Sequence, residues 1–301
     1  IVLILGLFIL LHVVLDDVGG WPNIAAQLPE HSLRLIPLVH TAGNWIDWIH
    51  VWMTLGVAAI ASTPIIQRAL SARTEAVAQN SFYVATVLYV GIGVIPIVLG
   101  LVASVTMPNL DDPNAVLTKL AVEHLHPILV VVFVGAILSS IMSTSDSVLL
   151  GVASVVSTNL LPLVRKHPDS ALRLRVARIA IPIAGLLATY IAFSASRVVE
   201  VLIDAAAPLL AGIIVPFVLC FWWEKANRYG ALAGMAGGLL GWMVASTMDS
   251  TFPPDLIGFG ASLVTMVAIT LATQKVCPPR PLADIDGQPV MLADRLGTLR
   301  G

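Results

Sequence analysis

Charge is scarce in this chain: 11% of its 301 residues are Asp, Glu, Lys or Arg, against about 25% in an ordinary soluble domain. With 57% hydrophobic residues and a mean hydropathy of +0.92, a water-soluble globule is excluded. Cysteine is scarce too. Cys220 lies in an apolar run and Cys277 in a polar tail, which leaves no basis for a disulfide framework. The net charge of −2 and the lack of a basic stripe interleaved with aromatics exclude a nucleic-acid surface.

Enzyme signatures are missing as well. There is no nucleophile elbow, zincin motif or phosphate-binding glycine loop. Asp111-Asp112 is half of a metal–diphosphate motif, but Pro108 and Pro113 flank it and no second acidic cluster follows, so it reads as a turn. His124-Leu125-His126 offers two histidines, short of a metal-ligand set. No enzyme and no cofactor are expected. A secretory signal is also lacking, because Ile1 opens directly into an apolar run with no charged region before it and no small-residue cleavage site after it. The run 1–15 reads instead as the remnant of a spanning helix whose upstream partners, the N-terminal helices of the same protein, are missing.

What the chain does have is long apolar runs, repeated throughout. Stretches such as 82–107 reach the roughly 20 residues that cross a bilayer. Apolar runs and polar breaks give eight spans at 1–15, 44–66, 81–107, 127–161, 177–195, 199–223, 230–247 and 256–274. The basic residues test this division, since cytoplasmic loops collect Lys and Arg. Thirteen of them (Arg68, Arg73, Arg165, Lys166, Arg173, Arg175, Arg178, Lys225, Arg228, Lys275, Arg280, Arg295 and Arg300) fall on one side, and only Arg34, Lys119 and Arg197 on the other. The alternation is unbroken, which predicts an integral protein of the cell (inner) membrane with a cytoplasmic C-terminus. The membrane domain occupies 1–275, with a short cytoplasmic tail at 276–301, and the outer loops at 16–43 and 108–126 read either as solvated loops or as a vestibule over the spans.

The chemistry concentrates in 136–161, AILSSIMSTSDSVLLGVASVVSTNLL. On a helix, Ser140, Ser143, Thr144, Ser147, Gly151, Ser154 and Thr158 share one face. Small and hydroxylated residues let membrane helices approach closely. Uncharged oxygens at mid-membrane depth also suit a hard monovalent cation that must bind and then leave. Asp146 lies about 60° from Ser143 around the helix. An intramembrane carboxylate is a functional candidate by default, so Asp146 reads either as an ion-coupling group or as a structural carboxylate bonded to a neighbouring helix.

The segment SSIMSTSDSVLLGVASVVSTNLL resembles the signature helix of the sodium:solute symporter family, which includes sodium/proline, pantothenate and sugar symporters. PIIQRALSAR at 64–73 resembles the family's loop after its broken helix. The resemblance covers the chain to about residue 275. It implies an all-α fold of two five-helix inverted repeats (5+5), with about eight transmembrane helices here, 44–223 forming the second repeat and the last two spans peripheral. It also implies a sodium site built from Ser143, Thr144 and the Ser140 carbonyl, with Ser147 contributing to a second ion site and sodium the only metal. The family's first core helix, which supplies further ligands, is not in this sequence.

Span 44–66 is then the broken helix, with Gly56, Ser62, Thr63 and Pro64 as its substrate-path candidates; Pro64 also reads as an ordinary kink. The sodium/proline branch carries aromatic residues shortly before this proline. Here the positions around Gly56 and Ile60 are small or aliphatic, which argues against proline as substrate. Trp45, Trp48 and Trp52, with Asp47 and His50, read as an interfacial belt or a substrate gate, and Asp204, the second deep carboxylate, reads either as lining the outer vestibule or as lying near the interface. The expected function is sodium-coupled import of a small organic solute by alternating access, with sodium, the solute and the lipid bilayer as partners. A transporter-like sensory module of a signalling protein and a proton-coupled symporter using Asp146 are the alternatives.

Overall fold

A segment lying in hydrocarbon must satisfy its N–H and C=O groups internally, so apolar runs of this length fold as helices. The computed structural model describes all residues except 30, 111, 196, 249–251, 281–282 and 284–301. In chain order the helices are α1 (Val2–Asp17), α2 (Trp21–Gln27), α3 (Ala42–Val51), α4 (Thr63–Leu70), α5 (Glu75–Thr106), α6 (Val116–His124), α7 (Pro127–Val155), α8 (Leu161–Val164), α9 (Ser170–Ser194), α10 (Val198–Leu209), α11 (Val215–Trp222), α12 (Arg228–Ser246) and α13 (Pro254–Ala272). Seven helical stretches are long and apolar enough to cross a membrane, or eight if α1 and α2, bent by 71°, count as one. Among the described residues there is no strand. The protein is an all-α, polytopic membrane protein.

The described part of the tail is 276–280 and 283; most of the expected tail, and Asp111 of the acidic pair, lie outside the described residues. The segments 16–43 and 108–126, expected as outer loops, differ from expectation in that each contains a helix, α2 and α6 respectively. Their apolar residues are too few and too spaced to make a run. Ile24, Leu28, Leu120, Ala121 and Leu125 are nevertheless buried.

The chain divides into two units. The first comprises residues 1–35 and 77–197, and holds α1, α2, α5, α6, α7, α8 and α9. Its core joins Leu10 and Val14 of α1, Ile24 of α2, Leu99 and Val102 of α5, Leu120 of α6 and Phe133 of α7. The two short helices thus pack against the ends of the long ones. His124 Nδ1 lies 2.7 Å from Asp17 Oδ2, joining the last turn of α6 to that of α1. A basic group suits a helix C-terminus and an acidic one does not, so this pair relieves the misplaced charge of Asp17. His126, the other histidine of the pair, caps α7 by accepting from the Ile128 N–H. Elsewhere the unit exposes apolar side chains: α9 buries none of its residues, and Val87, Val90 and Ile97 of α5 are all exposed. Such faces suit hydrocarbon.

The second unit comprises residues 36–76 and 198–301, and holds α3, α4 and α10 to α13. Between α10 and α11 the chain widens into a π-helical segment, Leu210–Ile214. Pro216 has no N–H, so the Gly212 carbonyl lacks its usual i+4 donor and the local pattern shifts. The same logic applies in the first unit, where Pro162 deprives Thr158 inside the π segment Val156–Leu160. The widened turn at 210–214 is held by close backbone approach: a Cβ at Gly238 of α12 would collide with the Ala211 carbonyl oxygen, and one at Gly258 of α13 would lie 2.6 Å from the Ala211 Cβ.

Gly238→Ala should therefore lower stability by about 1–3 kcal/mol through overpacking. Gly260→Ala, with open space at its Cβ, should be neutral or gain up to about 1 kcal/mol from helix propensity. Thermal unfolding of the two variants in one detergent compares them directly.

Candidate functional site

In the first unit, α7 runs unbroken from Pro127 to Val155 and carries Ser140 to Ser154 of the hydroxyl-rich segment, while Thr158 falls in the π-helical segment Val156–Leu160. Ser140, Ser143, Thr144, Asp146 and Ser147 are all exposed within the chain. The Thr144 hydroxyl donates to the Ser140 carbonyl at 3.0 Å, and the Ser147 hydroxyl donates to the Ser143 carbonyl at 3.0 Å. With its proton committed to the backbone, each hydroxyl oxygen keeps its lone pairs available as an acceptor. Thr144 Oγ1 thus offers a neutral oxygen of a kind suited to a hard monovalent cation, beside the Ser140 carbonyl that holds its proton.

The other candidates belong to the second unit. From α3 the chain passes into a π-helical segment, Trp52–Val57, then a 3-10 turn, Ala58–Ala61, before Ser62 adopts extended backbone (φ −69°, ψ 139°) and α4 begins. The span is a broken helix. Pro64 removes the N–H that would serve the Ile60 carbonyl. The Ser62 carbonyl takes over the start of α4, accepting from the Ile65 and Ile66 amides at 3.1 Å each. Gly56 and Thr63 are exposed, and Ser62 and Pro64 half-buried. The turn itself is not loose, because Ala58 and Ala61 are buried against Leu210 and Ile214.

Asp204 of α10 is exposed, and Pro208 four residues on cannot donate to its carbonyl. Among the described residues of this unit the buried carboxylate is Asp255, 2% exposed, in the first turn of α13. Its Oδ2 lies 2.5 Å from Thr54 Oγ1 and 3.0 Å from His50 Nε2, while its Oδ1 accepts from the Leu256 amide at 3.0 Å. His50 therefore belongs to a buried polar network, although its spacing with Trp45, Trp48 and Trp52 had suggested a membrane belt. The tryptophans form a ladder, with centroids 5.7 Å apart for Trp45–Trp48 and for Trp48–Trp52, and His40 stacks on Trp45 at 5.9 Å.

The model of the sodium:solute symporter family matches residues 1–238. The chain belongs to the sodium:solute symporter family. Among curated proteins it is 28% identical over 252 residues to the high-affinity choline transporter 1 of Caenorhabditis elegans, covering 74% of this chain and 43% of that protein. It is 28% identical over 172 residues to the high-affinity proline transporter PutP of Bacillus subtilis, covering 55% and 36%. Against the sodium/pantothenate symporter of Haemophilus influenzae it is 25% identical over 247 residues, covering 79% and 50%. The chain spans half or less of the length of these symporters. The family and these relatives are transporters rather than enzymes.

Within this chain, Asp255 was the residue that sequence reasoning passed over. Pro253-Pro254-Asp255 reads locally as a helix start with an acidic first turn, which is a sufficient explanation by itself. Its partners lie 201 positions away for Thr54, a separation that no local pattern discloses.

Replacing Pro64 tests the origin of the break. In Pro64→Ala a restored N–H can reach the Ile60 carbonyl. Amide exchange over 58–66, followed by hydrogen–deuterium exchange mass spectrometry, should slow about fivefold for one added hydrogen bond. Unchanged exchange would mean that packing against Leu210 and Ile214, not proline, maintains the break.

Proposed function

We propose that the protein is a sodium-coupled symporter that imports a small organic solute by alternating access, in a cell membrane and with its C-terminus on the cytoplasmic side. The observation that carries this reading is the exposed hydroxyl face of α7, with the Thr144 and Ser147 protons bonded to the helix backbone, in a chain of this family. On this reading Ser143, Thr144 and the Ser140 carbonyl are sodium ligands, and Ser147 serves a second ion. Backbone carbonyls of the family's first core helix supply the rest of the sodium shell. The solute path follows the broken helix past Gly56, Ser62, Thr63 and Pro64, with Asp204 lining its approach. Sodium binding comes first and orders Ser143 and Thr144, after which the solute site forms.

The energetics are adequate. Inward movement of one positive charge is favoured by about 2.3 kcal/mol per 100 mV before any sodium gradient is added, which supports a solute gradient of tens-fold per ion. The orientation rests on the basic residues, thirteen to three across the alternating loops. Choline heads the solute panel, since two supports converge on it: choline transporters are among the relatives, and the tryptophan ladder offers π faces to a quaternary ammonium.

The test is uptake by the full-length protein in proteoliposomes, using labelled choline, proline, pantothenate and further amino acids and carboxylates. Ser143→Ala and Thr144→Ala should each raise the sodium concentration for half-maximal uptake about tenfold or more, as expected for a lost ligand to a charged group. Uptake indifferent to sodium and to both substitutions would reduce the stripe to helix packing. The exposed Asp146 beside the stripe supports one second reading, proton coupling. Sodium titration at fixed pH separates the two, because a proton-coupled carrier retains its uptake without sodium and loses it in Asp146→Asn.

A further inference from the structure

We propose that Asp255 is a positioning residue for the solute path, its carboxylate acting as a clasp that fixes the outer half of the broken helix through His50 and Thr54. The inference rests on the transport reading only in assigning the broken helix to the solute path. The clasp itself rests on geometry. Asp255 is 2% exposed and Thr54 fully buried, while the His50 side chain is 22% exposed. A carboxylate this deep is tolerated only with donors around it. Three are present: the Thr54 hydroxyl at 2.5 Å, His50 Nε2 at 3.0 Å and the Leu256 amide at 3.0 Å. The N-terminal turn of α13 adds its own favourable dipole.

Two of the three donors come from a single stretch of the broken helix, four residues apart. His50 lies in the last turn of α3 and Thr54 in the π-helical segment Trp52–Val57. The carboxylate thus bridges the junction at which the helix changes type. A π-helical turn is a rare and poorly stabilised conformation that tends to mark functional sites, and here an anchor outside the helix holds its first residues in place. Eight residues beyond Thr54 lies Ser62, where the helix breaks. Releasing the clasp would free the α3 end of the unwound segment and leave its Ala61 end held by Leu210 and Ile214 alone, so that Ala61 is uncovered more often.

The experiment combines a conformational and a transport readout on the full-length protein in proteoliposomes. In a background with Cys220 and Cys277 replaced by Ser, Ala61→Cys reports access of a thiol reagent to the normally buried turn. Thr54→Val removes one hydroxyl at nearly constant shape, Asp255→Asn weakens all three contacts, and Thr54→Ser restores the donor. Thr54→Val and Asp255→Asn should each raise the labelling rate at position 61, and the KM of whichever solute the uptake panel identifies, about tenfold, as for loss of a hydrogen bond to a charged group. The sodium half-saturation should stay unchanged. Thr54→Ser should keep wild-type values, and the double variant should match Asp255→Asn alone.

Labelling and KM unchanged in folded Thr54→Val and Asp255→Asn, with only the melting temperature lowered, would overturn the proposal and leave the network as ordinary packing. Should Asp255→Asn fail to fold, the single-hydroxyl variant decides alone. A wild type without sodium-driven uptake, whose labelling still rises in Thr54→Val, would keep the clasp and refute the transport reading instead.

Discussion

A helix crossing hydrocarbon has no water to which it can give an unpaired backbone group, and this constraint governs every interruption of the spans. The break between α3 and α4 is the most demanding case, since it passes through a π-helical segment, a 3-10 turn and one extended residue within eleven positions, 52–62. Such a segment persists only if its surroundings determine it. In the second unit they do so at both ends. Asp255 holds His50 and Thr54 at the start, and Leu210 and Ile214 bury Ala58 and Ala61 near the finish.

Both supports trace back to the last two helices. The segment Leu210–Ile214 is itself irregular, so it needs a rigid neighbour, and it has one because Gly238 and Gly258 let backbone meet backbone where any side chain would intervene. Asp255 belongs to α13 directly. The family resemblance treats α12 and α13 as peripheral to the inverted repeats, yet within this unit they anchor the irregular helix by two independent routes, one polar and one steric. Small residues and a buried carboxylate are the means available in lipid, where apolar contact alone gives helices no preference for one another over the acyl chains.

Spans of this kind are legible in sequence because hydrocarbon enforces a simple code. The runs read at 81–107, 177–195, 199–223, 230–247 and 256–274 correspond to helices 75–106, 170–194, 198–222, 228–246 and 254–272, with starts up to seven residues earlier where polar turns such as 170–173 continue a helix beyond its apolar run. The hydroxyl face of α7 was legible for the same reason, since helical periodicity depends on nothing outside the segment. Pro64 signalled the break through its missing N–H. What sequence could not disclose depends on distant partners: α2 and α6 owe their burial to the ends of α1 and α5, and the pairing of Asp255 with residues near position 50 follows from tertiary packing alone. Asp204, read as a deep carboxylate from its apolar neighbourhood, is exposed within the chain; hydropathy reports depth in a span and says nothing of which side of the helix is covered.

The contrast between Asp255 and the α7 stripe suggests how such a protein divides its polar groups. A buried carboxylate with three donors is a permanent attachment, because removing any donor leaves charge uncompensated in a low dielectric. An ion that must leave in every cycle needs the opposite. Per 100 mV the membrane potential provides only about 2.3 kcal/mol for each charge moved, and a site that bound much more tightly than the gradient could release would stall. Neutral oxygens meet that requirement, provided their protons point elsewhere, and the back-bonds from Thr144 to Ser140 and from Ser147 to Ser143 direct those protons onto the helix itself. On the proposed reading, full charge holds a conformation, while partial charge binds and releases the ion.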